Sequence, residues 1–176
     1  IEPFNPFFVE DPIRSENPQL LRKLNQQVQV PIGMGEQYAT KWEFRQVVEE
    51  DLIDYARIDL CIVGGLTEAL KVAQWCETHY IQVAPHNPLG PVSTAACLHL
   101  DMALSNFAVQ ECARPPGTVL PELFPKQVTL ENGHLLPPEE PGLGVVMDEE
   151  AIASLPPVVD GDCPRLRRPD GSYTNW

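Results

Sequence analysis

The chain has 176 residues, 43% of which are hydrophobic, and a formal net charge of −13. This hydrophobic fraction is large enough to build a core, so the composition excludes a disordered or fibrous protein. The negative charge argues against a nucleic-acid backbone or an anionic membrane surface as partner, although a cationic site or a bound metal could still attract a small anion.

The first predicted strand, Phe7 to Val9, ends at Glu10, and a helix is predicted over residues 17–28. A second strand over residues 30–36 ends at Glu36. In the helix that follows, Thr40 and Glu43 have the spacing of a capping box. Because Ile1 is not an initiator Met and a Phe-rich strand begins within a few residues, we expect the chain to be a piece of a longer protein.

Three further strands follow at similar intervals, over residues 55–60, 81–86 and 106–111. Helices are predicted between them, one after Gly64 and Gly65 and the other over residues 91–104. Short alternation of strand and helix predicts an α/β fold with parallel strands and right-handed crossovers. About five βα units of a (β/α)8-type barrel are therefore predicted.

The chain becomes rich in proline after the fifth strand. A hairpin is predicted around Asn132 and Gly133, and a short helix near residues 147–156. We divide the chain into a partial barrel over residues 1–124, a C-terminal segment over residues 125–160 and a tail over residues 161–176.

The five cysteines form no CxxC pair and have no zinc-like spacing, their number is odd, and several lie inside apolar runs. We expect reduced thiols in a cytoplasmic protein. No signal peptide and no apolar run of transmembrane length is recognised, so no membrane association is expected.

Polar residues follow the predicted strands in phase, 23 to 27 residues apart: Glu10, Glu36, Asp59, His86 and Glu111. Each of them alone could be an ordinary solvated residue at a strand end. In a (β/α)8 barrel, however, the carboxyl ends of all strands converge on one mouth, where catalytic groups lie. The common phase therefore predicts one site assembled from all five.

The residue types at this mouth indicate acid–base chemistry next to a metal. An Asp59–His86 pair would fix the imidazole tautomer and make the other ring nitrogen a base. Glu10 and Glu36 offer hard oxygen ligands suited to Mg²⁺. A base with Mg²⁺ is an arrangement that can remove a proton next to a carboxylate. The other histidines are out of phase and are assigned to structure: His79, His99 and His134.

Several motifs resemble the mandelate racemase subgroup of the enolase superfamily, and within it the galactonate dehydratase-type sugar acid dehydratases. They are FFVEDP, PIGMGEQ, ARIDLCIVGGLTEALKVA, APHNPLGPVSTAACLHLD, VQE and the ending PGLGVVMDEEA…RRPDGSYTNW. The resemblance covers essentially the whole chain. It implies the second half of an enolase-type barrel, followed by a segment that returns to a capping domain.

The resemblance also implies a role for each strand-end residue. Glu10 and Glu36 match two Mg²⁺ ligands, Asp59 and His86 match the dyad with the general base, and Glu111 matches the carboxylate that binds the substrate's carboxylate. Asp11 stands where many relatives have Glu, a change expected to have little consequence. The capping domain, the first metal ligand and the acid that helps the hydroxyl leave are absent from these 176 residues.

The predicted function is therefore Mg²⁺-dependent dehydration of a galactonate-type sugar acid to a 2-keto-3-deoxy acid. A hydroxy-acid racemase or epimerase and a non-catalytic fragment are the alternatives. The expected partners are the acid sugar, the missing N-terminal half of the same protein and further copies of the protein. No nucleic acid and no organic cofactor is expected.

Overall fold

Four short parallel strands form one sheet in chain order, β1-β2-β3-β4, in a computed structural model that describes residues 1–156 and 167–172. The strands are β1 (Val9–Glu10), β2 (Ile32–Met34), β3 (Tyr55–Ala56) and β4 (Gln82–Val83). Helices separate them: α1 (Leu21–Leu24), α2 (Lys41–Glu49), α3 (Leu60–Val63) and α4 (Gly65–Thr78); α5 (Pro91–Met102) follows β4. The predicted α/β fold of barrel type is confirmed.

The predicted fifth strand lies beside β4 but forms only one bridge to it, between Val83 and Phe107. Val83 donates its N–H to the Asn106 carbonyl at 2.8 Å, and Ala108 donates to the Val83 carbonyl at 2.9 Å. The main-chain N–H groups of Phe107 and Val109 make no hydrogen bond with any described residue. Within the described part of the chain, this segment therefore forms one free edge of the sheet, and β1 forms the other.

The two faces of the sheet differ in what covers them. Alternate strand residues pack with the helices into one core, which includes Met34, Ile58, Val72 and Phe44, all 0% exposed. The opposite face carries a group of touching rings, Phe7, Phe8 and Tyr55, whose centroids are 5.0 to 5.7 Å apart. This inner face stays partly open, since Phe7 is 58% exposed.

The sequence predicted the start of one helix correctly and the length of another wrongly. The capping box at the start of α2 is confirmed, because the Glu43 carboxylate accepts the N–H groups of Ala39 and Thr40 at 2.7 and 3.0 Å. The helix predicted over residues 17–28 is shorter: a 3-10 turn, Pro18–Leu20, precedes the single turn of α1. Because Leu21 is its one fully buried residue, burial adds little to the stability of so short a helix.

The predicted hairpin is confirmed as the antiparallel pair β5 (Thr129–Glu131) and β6 (His134–Leu136). Asn132 and Gly133 both have positive φ, as a two-residue hairpin turn requires. A small apolar cluster around Ala95, Leu98 and Val128 packs against Leu135 of this hairpin. The predicted final helix is α6 (Glu149–Ser154), which begins where Asp148 accepts the Ala151 N–H at 2.9 Å. Most of the predicted tail, residues 161–176, lies outside the described residues.

The described cysteines are free thiols in different surroundings. Burial raises the pKa of both Cys76 and Cys97 to about 12, whereas Cys61 is exposed. Cys163 lies outside the described residues. Among the described helices, none has the length and apolar character needed to cross a membrane.

Candidate active site

The five residues that were predicted from their common phase all lie at the carboxyl ends of neighbouring parallel segments. Glu10 ends β1, and Glu36 lies two residues beyond β2. Asp59 is the N-cap of α3, His86 follows β4, and Glu111 follows the free edge. In (β/α)8 barrels, active sites form at the carboxyl ends of the strands.

Asp59 and His86 are in direct contact, with Nδ1 of His86 2.9 Å from Oδ2 of Asp59. The Asp59 side chain is 3% exposed. Its other oxygen, Oδ1, accepts the N–H groups of Cys61 and Ile62 at 2.7 and 3.2 Å. Because the start of α3 anchors the carboxylate in this way, Asp59 can hold the imidazole ring in one orientation.

The second ring nitrogen of His86 faces the mouth. Its Nε2 lies 3.2 Å from Oε2 of Glu36, and the imidazole is 18% exposed. With Nδ1 engaged by Asp59, Nε2 is the nitrogen available to a ligand in the mouth. A metal or substrate that engages Glu36 would therefore lie beside this nitrogen.

The sequence reasoning missed Arg57, whose buried guanidinium joins the two ends of the site. Its Nε donates to Glu10 and its Nη2 to Glu111, each at 2.5 Å. Its Nη1 donates to the carbonyls of Ala84 and Pro85 at 2.8 and 3.1 Å. A charged residue inside an apolar strand, two positions before Asp59 and so on the same strand face, was the signal available in the sequence.

Glu111 is held in its ionised form. Burial acts to raise its pKa, but the N–H of Asn87 at 2.9 Å and the Arg57 guanidinium outweigh burial, and the net effect lowers the pKa. The Asn87 amide also donates to the Glu111 carbonyl at 3.1 Å and to Thr94 Oγ1 at 2.9 Å. The turn after His86 is thereby tied to Glu111.

Asp11, whose identity was expected to have little consequence, lies close enough to Glu36 and Glu10 to be affected by their charges. Burial, followed by the charges of Glu36 and Glu10, raises the pKa of Asp11 to about 6. Its Oδ1 is buried and has no hydrogen-bond partner among the described residues. The mouth is therefore crowded with carboxyl groups.

The donor set fits a magnesium ion in part. Glu10 and Glu36 are partly exposed and offer hard oxygen ligands. The carboxylates close to Asp11 also repel each other, and a bound cation would offset that repulsion. Residues 1–156 and 167–172 contain no group of three acidic, histidine or cysteine side chains arranged to hold a metal. Mg²⁺ keeps several waters and commonly binds few carboxylates, so these two could supply part of its shell.

The histidines assigned to structure lie away from the mouth. His79 ends α4 and contacts Asp51 at 2.8 Å, and His134 contacts the Asn132 carbonyl at 3.0 Å within the hairpin. His99 lies inside α5. None of the three makes a hydrogen bond or ion pair with a described residue of the site.

Comparison with known proteins relates the chain to one family. Residues 1–151 match the family model described as enolase C-terminal domain-like. A D-mannonate dehydratase of Caulobacter vibrioides is 37% identical, over 100% of this chain and 44% of the relative. A D-galactonate dehydratase of Ralstonia nicotianae is 36% identical, over 100% of this chain and 48% of the relative. The chain thus spans less than half the length of these relatives.

The fold comparison agrees. The crystal structure of an enolase from Pantoea ananatis with bound D-gluconate and Mg superposes with a TM-score of 0.83 at 35% sequence identity. The match covers 89% of this chain and 38% of that chain. The strand-end carboxylates and His86 therefore stand on a scaffold like that of a protein which binds a sugar acid and magnesium.

Proposed function

Because the chain belongs to the enolase C-terminal domain-like family, we propose that it supplies the proton-abstracting half of a sugar acid dehydratase. The family resemblance expected from the motifs is confirmed, and the names of the relatives support the activity. The observation on which the proposal depends is the position of His86, held by Asp59 and facing Glu36 at the carboxyl ends of the strands.

In the proposed reaction, Nε2 of His86 takes the proton from the carbon next to the substrate's carboxylate. The electron pair of that C–H bond moves toward the carboxylate and gives an enediolate. The hydrogen bond from Nδ1–H to Asp59 stabilises the imidazolium that forms. The electron pair then expels the hydroxyl on the next carbon, which takes a proton from solvent and leaves as water. The imidazolium of His86 returns its proton to solvent, and the resulting enol tautomerises to a 2-keto-3-deoxy acid.

The remaining site residues would bind a metal ion or the substrate's carboxylate, or balance negative charge in the site. Glu10 and Glu36 would hold a Mg²⁺ ion, which when bound stabilises charge on the substrate's carboxylate. Glu111 would bind one carboxylate oxygen of the substrate, which requires a proton or a cation between the two groups. Arg57 fixes Glu10 and Glu111 relative to each other and offsets part of their charge.

We further propose that a segment outside these 176 residues completes the barrel. The relatives are more than twice as long as the part that this chain matches. The half-open inner face and the unpaired edge at Phe107 and Val109 support the same proposal, since a closed barrel covers both.

The test uses a chimeric polypeptide in which this chain replaces the segment that it matches in the Caulobacter relative. We expect the chimera with Mg²⁺ to exchange the C2 proton of an aldonate in D₂O and to release a keto acid, measured by NMR and by semicarbazone formation. His86→Asn should lower both rates by roughly 10²–10⁴. Mg²⁺ binding, measured by calorimetry, should persist.

The matched control is His79→Asn, because His79 contacts Asp51 and no residue of the site. Exchange that survives in His86→Asn would show that another group is the base. Exchange without keto acid from any of D-mannonate, D-galactonate and D-gluconate would favour a racemase or epimerase. Absence of exchange, keto acid and Mg²⁺ binding would favour the non-catalytic alternative.

A further inference from the structure

Glu111 lies beyond the point at which its segment stops pairing with β4. The last backbone hydrogen bond between the two is donated by Ala108 to the Val83 carbonyl at 2.9 Å, and Glu111 comes three residues later. Residues 109–111 form no backbone–backbone hydrogen bond within the described part of the chain. The position of Glu111 next to the turn after His86 therefore depends on contacts that involve side chains.

Asn87 is the residue that holds both the backbone and the carboxylate of Glu111. Its backbone N–H donates to Oε2 of Glu111 at 2.9 Å, and its side-chain Nδ2 donates to the Glu111 carbonyl at 3.1 Å. The same Nδ2 donates to Oγ1 of Thr94 at 2.9 Å, and the Thr94 hydroxyl donates to the Gly90 carbonyl at 3.2 Å. One amide thus joins the turn after β4, the first turn of α5 and the segment that carries Glu111.

The Asn87 side chain takes this orientation at a cost to stability. The residue is 1% exposed, and its Oδ1 is buried without a hydrogen-bond partner among the described residues. An unpaired buried acceptor offsets much of the stabilisation that the two Nδ2 hydrogen bonds provide. Proteins accept such local costs chiefly at functional sites. The cost favours a role of this amide in placing Glu111 over a role in stability.

The hydrogen bonds of Glu111 divide its two carboxylate oxygens between different tasks. Oε2 accepts the N–H of Asn87 and, at 2.5 Å, Nη2 of Arg57. Oε1 has no hydrogen-bond partner among the described residues, and the side chain is 31% exposed. Arg57 contacts the carboxylate alone, whereas Asn87 also holds the Glu111 carbonyl. Oε1 is therefore the oxygen that a ligand can reach.

We propose that Asn87 is a positioning residue, which fixes Glu111 relative to His86 and leaves Oε1 of Glu111 to meet the carboxylate of the substrate. Because Asn87 follows His86 directly, a single turn sets the place of both the base and Glu111. Asn87 acts through Glu111 and not on the reacting atoms. The contact of Oε1 with a substrate rests on the proposed function, whereas the fixing of Glu111 does not.

The first test is amide hydrogen exchange in this chain, followed by NMR. Asn87→Ala removes the side-chain donors and keeps the backbone N–H. We expect the amide of residue 87 to exchange faster by about tenfold, because its acceptor on Glu111 is no longer held in place. The amide of Ala84, bonded to the Ala56 carbonyl at 3.1 Å, should keep its rate. Equal acceleration at both amides, or none at residue 87, would overturn the positioning role.

Two further variants separate hydrogen bonding from shape. Asn87→Asp keeps the shape of the side chain, but an ionised carboxylate cannot donate, so residue 87 should again exchange faster. An unchanged rate in Asn87→Asp would show that shape alone holds Glu111 and would overturn the proposal. The matched control is Asn25→Ala, which removes an amide hydrogen bond to the Leu52 carbonyl at 3.0 Å and should leave exchange at residue 87 unchanged.

The second test measures keto acid formation by the chimera with the Caulobacter relative. Asn87→Ala should lower kcat by about 10- to 100-fold, with a smaller change in KM, because a displaced Glu111 meets the charge of the enediolate poorly. An active chimera whose kcat is unaffected by Asn87→Ala would overturn the assignment of Oε1 to the substrate. A chimera that is inactive before any substitution would count against the proposed reaction, and the exchange rates would still decide whether Asn87 fixes Glu111.

Discussion

Arg57 is 3% exposed and makes four hydrogen bonds, two of them to carboxylates of the candidate site. Its guanidinium also lies 5.6 Å from the centre of the Phe8 ring. A planar fork of this kind can reach Glu10, Glu111 and two carbonyls at once, which the point charge of a lysine cannot. The relative position of Glu10 and Glu111 therefore depends on one buried side chain.

Arg57→Lys should lower the free energy of unfolding of the chain by about 2–4 kcal/mol, because the carboxylates and carbonyls around it would lose donors in a buried setting. Urea denaturation followed by circular dichroism measures the change. Arg45→Lys, at an exposed pair with Glu49, is the matched control and should cost about 0.5 kcal/mol or less. A loss at Arg57 no larger than that of the control would contradict this account.

The sequence made the five strand-end residues predictable because a parallel barrel brings the same end of every strand to one mouth. Asp59 and His86 could be paired in advance, since they follow adjacent strands. Arg57 could not be chosen in this way, because its role depends on partners that lie 47 and 54 residues away in the chain. The raised pKa of Asp11 likewise depends on burial that sequence patterns do not reveal.

At the scale of elements, the turn after β2 determines where Glu36 points. A Cβ at Gly33 would meet the Phe8 ring on the inner face, whereas one at Gly35 would meet Phe44 in the helix-side core. The alternation of strand faces is therefore broken at Gly35, whose φ is +135°. Because of this break, Glu36 reaches the inner mouth beside His86.

Gly35→Ala should destabilise the chain by about 2–4 kcal/mol, since a Cβ would lie 2.6 Å from Phe44 Cε1 and the backbone angle is strained for any other residue. Thermal and urea unfolding both report this loss. Gly90→Ala adds the same methyl group in open space and should change the stability by less than about 1 kcal/mol. Equal effects of the two substitutions would show that the break at Gly35 is not required.

The order and type of these elements were predictable, but their lengths were not. Periodicity located each strand, and the Asn132–Gly133 turn located the hairpin. The strands proved shorter than the apolar runs, because each parallel ladder in the described residues pairs only two residues of one strand with two of the next. The segment predicted as the fifth strand has one strand neighbour among the described residues, and a single bridge, Val83 to Phe107, joins the two.

At the scale of the whole molecule, an open inner face and a free strand edge are exposed together. Unpaired edges next to apolar surface template association with other chains. The helix-covered face has no such defect, because its core side chains are almost fully buried. We therefore expect this chain on its own to self-associate through the sheet edge rather than through its helices.

Val109→Lys, which places a charge on the free edge formed by Phe107 and Val109, should lower the association constant of the chain at least tenfold and shift it toward the monomer at micromolar concentration. Analytical ultracentrifugation measures the distribution. Val92→Lys adds the same charge on the exposed surface of α5, where Val92 is 46% exposed, and should leave the distribution unchanged. An equal response to both substitutions would point to net charge and not to the edge.

The exposed thiol of Cys61 makes the mouth accessible to spectroscopy. Its backbone N–H donates a hydrogen bond to Asp59, and its Sγ lies 3.7 Å from Oγ of Ser93 in the first turn of α5. Cys76 and Cys97 are buried and keep their protons at neutral pH, so a maleimide dye would label Cys61 ahead of both once Cys163 is replaced by Ser and Cys112 by Ala. A fluorophore at this position, next to Asp59, would report whether an added sugar acid changes the surroundings of the mouth, and an unchanged signal with every aldonate would count against the proposed substrate class.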